Sequence, residues 1–160
     1  PMTIKYEMVF ISPLGPIGIK CHDDKLFSLV INHKLKKTES RNWLCREVKR
    51  QLDLYFQRKI FNFDIPFILE GTDYQKKVLN EVAKIKYGDK KTYSQIAKKV
   101  NSHPRPVGNA CRKNPIQLII PCHRVIGKNN LGGYAGGTQN TNKKMFVVKN
   151  SLLNFEIKNN

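Results

Sequence analysis

The sequence predicts an α/β (α+β) protein in which a small strand-containing half precedes a helical half. Near the N-terminus, apolar residues alternate with polar ones, which is typical of half-buried strands. Beyond residue 71 the apolar positions recur at helical spacing instead. A chain of 160 residues suffices for one domain or two small ones, and we place the boundary between residues 1–70 and 71–160.

The first half should contain three strands and one helix. Alternation predicts a strand over residues 4–10, and short apolar runs predict two more over 17–20 and 26–31. Apolar positions at helical spacing predict a helix over 42–58. Asn42 is a suitable N-cap, since its side chain can accept from the first free backbone N–H groups.

The second half should be helical. Thr72 is expected to cap a helix that ends near residue 88. Helices over 92–100 and 105–113 follow, separated by a tight break; prolines are tolerated in the first turn of the latter. Two short helices joined in this way predict a helix-turn-helix, whose second helix approaches DNA. A last helix is expected over 143–153.

Positive charge is concentrated in the second half. The formal net charge is +17; residues 71–160 hold 17 Lys and Arg against 4 Asp and Glu, whereas residues 1–70 hold 12 against 8. Such an excess is typical of a surface that binds a polyanion through phosphate contacts. We therefore expect the second half to bind nucleic acid.

The cysteine spacing, the apolar runs and the first ten residues give no indication of a membrane-spanning or secreted protein. No Cys-x-x-Cys spacing occurs, no run of 18 apolar residues predicts a membrane span, and residues 1–10 lack a secretory pattern. We expect free thiols in a reducing, cytoplasmic compartment. His22 and His33 are expected at the surface and no metal ligand is expected, although a loosely spaced zinc set of Cys21, His22 and Cys45 stays open.

One short run carries the chemistry: Pro121-Cys122-His123-Arg124-Val125, after an apolar segment. Proline fixes a backbone dihedral and stops regular pairing, so Cys122 is expected at an anchored bend. A thiol becomes an effective nucleophile when a neighbour takes its proton, and His123 is the candidate. An isolated Cys-His pair is more typical of a buried structural cysteine beside a surface histidine.

This run resembles the active-site motif of the O6-alkylguanine-DNA alkyltransferases (methylated-DNA–protein-cysteine methyltransferases). Further matches follow the family's order from about residue 71 to 137: Tyr93, Arg105, Val107, Gly108, Arg112, Asn114, Pro115 and the Gly-Gly-Tyr-Ala-Gly-Gly run at 132–137. The resemblance implies a ribonuclease H-like N-terminal domain without that activity, then a winged helix-turn-helix-like DNA-binding domain that carries the cysteine.

The function implied by the resemblance is DNA repair by direct reversal. An alkyl group would pass from O6-alkylguanine, and from O4-alkylthymine, in double-stranded DNA to Cys122 after base flipping, in a single irreversible turnover without a cofactor. In the family, a histidine activates the cysteine through a water; this position is His123. Tyr134 matches the tyrosine that donates a proton to guanine N3, and Asn114 matches a hinge asparagine. A monomer is expected.

The remaining matches concern DNA and the base pocket. Arg105 matches the arginine that fills the space left by the flipped base, and Tyr93 the tyrosine that crowds the 3′ phosphate. The other DNA-contacting matches are Gly108 and Arg112, and backbone groups of Val125 and Ala135 match those that read the base.

The glutamate that orients the histidine has two alternative positions. The shortest loop after Gly137 aligns the family's Lys-x-x-Leu-Leu-x-x-Glu with Ser151 in the last place, whereas alignment by identity gives Glu156 and a longer insertion. We favour Ser151 on loop length, which predicts a histidine without a charged partner. Pro106, Cys111 and Gln117 depart from the family pattern, and the last two could alter pocket width or inhibitor sensitivity.

Three other functions compete with alkyl transfer. A helix-turn-helix damage sensor without catalysis is disfavoured because Cys122 is present. A regulator with a reactive cysteine would need an effector domain that these residues do not suggest. A Cys-His hydrolase would leave the helix-turn-helix and the basic half unexplained.

Overall fold

The structure is a computed structural model that describes residues 5–129, 132 and 143–157. Two compact units compose it. The first contains the chain up to Leu69 together with Pro115–Gln117, and the second contains Glu70–Asn114 and the chain from Leu118 onward. Strands and helices are mixed, so the predicted α/β (α+β) class is confirmed.

The first unit is a three-stranded antiparallel meander with one helix. Its strands are β1 (Met8–Ser12), β2 (Gly15–His22) and β3 (Lys25–Ile31), in the spatial order β1-β2-β3. Helix α1 (Trp43–Phe56) follows. The alternation predicted over residues 4–10 is wrong within β1, where Met8, Val9 and Phe10 are all buried. The predicted second strand is confirmed by β2, where Ile17 and Ile19 are fully buried.

Helix α1 begins where the sequence predicts. The Asn42 side chain accepts from the backbone N–H groups of Leu44 and Cys45 at 2.9 and 3.0 Å, which confirms the N-cap. Val48 and Leu52 are completely buried one helical turn apart, so the apolar face of α1 packs on the sheet of the same unit.

Residues 115–117 extend the edge of this sheet. The Leu29 N–H donates to the Pro115 carbonyl at 2.9 Å, and the Gln117 N–H returns a bond of 2.9 Å to the Leu29 carbonyl. The Gln117 side-chain oxygen also accepts from the Ile31 N–H at 3.0 Å. Gln117 therefore completes hydrogen bonding at β3, while its effect on pocket width or inhibitor sensitivity stays a prediction.

The second unit is mostly helical, as predicted. Its elements in chain order are α2 (Asp73–Val82), β4 (Lys91–Thr92), α3 (Tyr93–Lys99), α4 (Pro104–Arg112), a 3₁₀ turn (Cys122–Arg124), β5 (Val125–Ile126) and α5 (Lys143–Ile157). Helix α2 ends earlier than expected and α5 runs four residues further. Among the described helices, none has the length and apolar character that crossing a bilayer requires.

Helices α3 and α4 form the predicted helix-turn-helix. Capping boxes start α2 at Thr72 and α3 at Thr92, each with a glutamine three residues on. Asn101 turns the chain between α3 and α4 with a φ of 53°, a conformation that asparagine tolerates better than most residues. Pro104 occupies the first turn of α4, where its missing N–H costs nothing.

Candidate active site

Cys122 lies at an anchored bend, as the sequence predicts. Its N–H donates to the Ile120 carbonyl at 2.8 Å, and the Arg124 N–H donates to the Pro121 carbonyl at 2.9 Å. Leu118 has a φ of 70°, so the chain turns sharply before the proline. Only 4% of Cys122 is exposed. The thiol is thus held in a fixed position inside the second unit.

Asn114 fixes the other side of this bend. Its Nδ2 group donates to the Ile120 carbonyl at 2.9 Å and to the Cys122 sulfur at 3.3 Å. The residue lies two positions after the end of α4, so one amide joins that end of the helix to the cysteine. A donor aimed at sulfur favours the thiolate over the thiol.

The resting state of Cys122 is nevertheless a thiol. Burial raises the pKa of Cys122 well above its usual value, and the hydrogen bond between its thiol and that of Cys111 raises it further. Asn114 and the nearby Lys149 ammonium oppose this effect without overcoming it. A proton acceptor is therefore needed when the sulfur reacts.

His123 belongs to a buried ion-pair network. Its Nε2 atom lies 3.0 Å from Oε2 of Glu156, on α5. Arg124 donates two hydrogen bonds of 2.8 Å to the same carboxylate, from Nε and from one terminal nitrogen. Its other terminal nitrogen donates to the Ile85 carbonyl at 2.7 Å. All three ionisable side chains are nearly inaccessible, with exposures of 1%, 2% and 6% for His123, Glu156 and Arg124.

This network shows that the preference for Ser151 was wrong. Ser151 is exposed, whereas Glu156 pairs with His123. A signal for the correct frame was present in the sequence. Four buried positions recur on one face of α5 at spacings of three, four and seven: Lys149, Leu152, Leu153 and Glu156. In the rejected frame Val147 is 58% exposed.

The carboxylate determines which nitrogen of His123 carries the proton. Burial tends to raise the pKa of Glu156, but hydrogen bonds from Arg124 and His123 outweigh it and hold that pKa at about 2. An ionised carboxylate only accepts, so Nε2 must donate. Burial lowers the pKa of His123 by more than Glu156 raises it. The imidazole is therefore neutral, with its lone pair on Nδ1, and does not become the imidazolium that an anionic partner alone would favour.

Lys149 is the site residue that the sequence analysis missed. Its ammonium donates to the Val125 carbonyl at 2.5 Å and to the Tyr93 hydroxyl at 3.4 Å, and it lies 5.6 Å from the Tyr93 ring centroid. No part of Lys149 is exposed, and burial lowers its pKa to about 8. A cation thus lies beside the thiols of Cys122 and Cys111, where it favours a thiolate.

The predicted DNA-contacting residues share one face of α4. Arg105, Gly108 and Arg112 are separated by three and four positions, which places them in one row on the helix, and both arginines are exposed. A Cβ on Gly108 would lie 3.8 Å from the Tyr93 ring, and a Cβ on Gly132 would collide with the Tyr93 hydroxyl. Tyr93 is therefore packed between glycines.

Among the remaining predicted site residues, the structure describes Val125. Val125 is buried in β5, which pairs in parallel with β4 so that Val125 lies opposite Lys91. A carbonyl oxygen has two lone pairs, so the Val125 carbonyl can accept a second bond besides that from Lys149. Tyr134 and Ala135 lie outside the described residues.

Potential metal ligands occur in the first unit. Within residues 5–129 and 143–157, one group of three potential ligands is close enough together to hold a metal ion: Glu7, Cys21 and Cys45. Their ligand atoms lie within 4.8 Å of one another. His22 is exposed and lies 3.8 Å from Asp23, and His33 is exposed as well, which confirms both as surface residues.

These features define a class: a helix-turn-helix protein with a buried cysteine followed directly by a histidine that pairs with a glutamate in the same unit. The sequence model for the DNA-binding domain of 6-O-methylguanine DNA methyltransferase matches residues 73–153, and that for its ribonuclease-like domain matches residues 5–69. The chain belongs to the 6-O-methylguanine DNA methyltransferase family.

Individual relatives agree with this assignment. A methylated-DNA–protein-cysteine methyltransferase of Metallosphaera sedula is 39% identical over 145 residues, covering 90% of this chain and 92% of the relative. One from Methanocaldococcus vulcanius is 47% identical over 118 residues, 71% of each chain. The crystal structure of Mycobacterium tuberculosis OGT in complex with DNA has a TM-score of 0.79 at 32% identity, covering 94% of this chain and 92% of that one.

Proposed function

We propose that Cys122 is the acceptor of the alkyl group and that the preferred substrate is O6-alkylguanine in double-stranded DNA. Family membership makes the protein a DNA-binding repair enzyme that transfers an alkyl group from DNA to one of its own cysteines. The observation that carries the proposal is the position of Cys122: buried at an anchored bend, held by Asn114 and followed directly by a carboxylate-bound histidine.

In the transfer step, the Cys122 sulfur attacks the alkyl carbon while the bond from that carbon to O6 breaks. The thiol proton passes through a water to Nδ1 of His123, the ring nitrogen that carries the lone pair when Nε2 donates to Glu156. Lys149 and Asn114 stabilise the negative charge on sulfur before attack. The guanine leaves as a neutral base after protonation at N3, the role proposed for Tyr134.

Glu156 serves this step by orienting His123, whereas burial and the charge of Arg124 keep the imidazole neutral. An imidazolium could not accept the thiol proton, and burial lowers the pKa of His123, which prevents that state at neutral pH. Because Arg124 also neutralises Glu156, the carboxylate orients the ring without adding a net charge beside the thiol.

Access to O6 requires the base to leave the duplex. We assign Arg105 to the space that the flipped base vacates and Tyr93 to the adjacent phosphate. Support comes from the exposed row on α4 and from the charge of residues 71–160. Flipping costs a few kcal/mol, which contacts in the vacated stack can offset.

Several further assignments belong to this proposal. The catalytic domain comprises residues 71–160 and the ribonuclease-like domain residues 1–70; the two compact units and the matched ranges support this division. O4-alkylthymine is a second substrate. The protein acts as a monomer in the cytoplasm, or in the nucleus of a eukaryotic cell, without a cofactor.

The test is one incubation with an oligonucleotide duplex that contains O6-methylguanine. Intact mass should rise by one methyl group, and peptide mapping should place it on Cys122. The Cys122→Ala variant should bind the same duplex and gain no mass. Methylation of Cys111, whose thiol raises the pKa of Cys122, would overturn the assignment of the acceptor.

A further inference from the structure

The first unit contains a second pair of buried thiols. Along the sequence, they lie far from the residues that serve alkyl transfer. Cys21 is on β2 and Cys45 is in the first turn of α1, and their sulfur atoms are 3.3 Å apart. Both thiols are free. Contact between two sulfurs fixed on separate elements means that little movement separates the dithiol from a disulfide.

A carboxylate accompanies this pair. Glu7 Oε2 lies 3.8 Å from the Cys45 sulfur, and Oε1 accepts from the Cys21 N–H at 3.1 Å. The second contact occurs at a bulge in β2, where the register shifts between Lys20 and Cys21. The bulge frees the Cys21 amide, and the Glu7 side chain is thereby fixed beside both sulfurs.

The two thiols are not equivalent. Cys21 is 8% exposed and Cys45 is fully buried, so a small reactant reaches Cys21 first. The hydrogen bond from the Cys45 thiol lowers the pKa of Cys21, while the same bond and burial raise the pKa of Cys45. Cys21 thus has the character of an attacking thiol and Cys45 that of a resolving thiol.

A metal site is the competing use of these groups, and the geometry favours it less. Three ligands are one short of the closed tetrahedron that structural zinc takes. One Glu7 oxygen is already occupied by the Cys21 amide, and among the described residues no further ligand joins the set.

We propose that Cys21 and Cys45 form a thiol-oxidation site that takes a small disulfide, such as oxidised glutathione, as its reactant. The Cys21 thiolate attacks one sulfur of the small disulfide, forming a mixed disulfide and releasing one small thiol, which carries the Cys21 proton. Cys45 then transfers its proton to Glu7 as its sulfur attacks that of Cys21. The second small thiol leaves with that proton. The cysteines lose two electrons and the small disulfide gains two.

The experiment titrates the full-length protein with mixtures of oxidised and reduced glutathione and reads intact mass and disulfide maps. The wild type should lose two hydrogen atoms in mass and yield a Cys21–Cys45 peptide. Cys45→Ala should stop as a glutathione adduct on Cys21, and Cys21→Ala should gain neither product. Cys111→Ser, a matched buried thiol in the second unit, should still form the Cys21–Cys45 disulfide.

Glu7→Gln separates this mechanism from mere proximity. Glutamine still accepts from the Cys21 N–H but is a poor proton acceptor, so the mixed disulfide should accumulate and close roughly 10-fold or more slowly. Closure at the wild-type rate would overturn the role of Glu7. Two results would overturn the site itself. In one, Cys21 and Cys45 stay reduced after Cys111 and Cys122 have oxidised. In the other, the purified protein holds one equivalent of zinc that blocks oxidation.

The melting temperature provides a readout that does not depend on the variants. The disulfide would close a loop between residues 24 positions apart, which restricts the unfolded chain. The oxidised wild type should therefore melt several degrees higher than the reduced one. Equal melting temperatures would show that the disulfide strains the fold as much as it restricts the unfolded chain, and would count against a preformed site.

Discussion

Each unit of this protein buries two cysteines whose thiols alter one another's pKa, yet the surroundings differ. In the first unit the neighbour is the Glu7 carboxylate. In the second unit the neighbours of Cys122 are the Asn114 amide and the Lys149 ammonium. A carboxylate raises the free energy of a nearby thiolate, whereas an amide donor and a cation lower it.

Burial by itself therefore does not make a nucleophile. Both pairs are removed from water, and burial raises the thiol pKa in both units. The second unit adds a neutral histidine held by Glu156, so the proton of Cys122 has a destination. The first unit offers Glu7, which can accept a proton but cannot stabilise a resting thiolate. The first pair suits thiol exchange and the second suits attack on carbon.

The largest expected effect on alkyl transfer comes from replacing the sulfur of Cys122, with Cys21 in the first unit as the matched control. Cys122→Ser should abolish alkyl transfer because an alcohol is far less nucleophilic and far less acidic than a thiol. Cys21→Ser should leave the transfer rate at the wild-type value. Single-turnover transfer to an O6-methylguanine duplex measures both. Loss of transfer in Cys21→Ser with an intact fold would show that the units are not chemically independent.

Removing the charge of Glu156 should have the next largest effect. Glu156→Gln leaves the buried Arg124 without its counter-ion, which costs about 3–5 kcal/mol of folding free energy. Transfer should also slow at neutral pH, since His123 loses its orienting partner. Urea unfolding and single-turnover rates measure the two effects. The control is Ser151→Glu, at the exposed position that loop length favoured; a faster transfer in that variant would restore the rejected frame.

The pH dependence of the Glu156 contribution has a defined sign. The pKa of Glu156 is about 2 in the folded protein against an ordinary 4.5. Its stabilisation is fully present above pH 4.5 and is lost as the pH falls through 2. The stability difference between wild type and Glu156→Gln should therefore shrink across that window, and a constant difference down to pH 2 would contradict an ionised carboxylate.

Lys149 should produce a slope of the same sign, in a separate window at alkaline pH. Its pKa is about 8 in the folded protein against an ordinary 10.5, so between these values the unfolded chain holds a proton that the folded chain has released. Stability should rise with pH across this window by up to roughly 3 kcal/mol relative to Lys149→Met. The exposed Lys144, replaced in Lys144→Met, is the matched control and should show no such difference. Parallel curves for all three proteins would exclude a buried, perturbed ammonium.

The smallest expected effect comes from removing one positive charge from the proposed DNA-binding surface of the protein. Arg105→Ala should reduce the slope of log affinity against log salt by about one, as for any phosphate-neutralising cation. Repair should slow by roughly 10-fold or more, because flipping costs a few kcal/mol that the arginine helps to offset. Lys36→Ala, an exposed cation of the first unit, should change neither. Equal losses of binding and repair in Arg105→Ala would argue against a role in flipping.

Local features were predictable from the sequence because they depend on neighbouring residues. The predicted caps at Asn42 and Thr72 need only a side chain two or three positions from a free N–H group. The helix-turn-helix follows from two short periodic segments with a break between them. The bend at Cys122 follows from an apolar run that ends at Pro121.

The end of α2 and the length of α5 were less accessible. Apolar residues continue past Val82, and periodicity does not show where backbone hydrogen bonding stops. In α5, the buried face includes Lys149 and Glu156, and polar residues in an inward row break the apolar pattern on which a boundary is judged.

By itself, the sequence determined the family motif, the order of the elements and the candidate nucleophile, since these depend on contiguous residues. Tertiary structure decided the partners. Glu156 reaches His123 across 33 positions and Lys149 reaches Val125 across 24, over a segment whose length the family pattern does not fix. Cys21 and Cys45 meet because a strand bulge and a helix cap set their positions. Such pairings depend on how separate elements pack, and packing is a property of the whole chain rather than of any window along it.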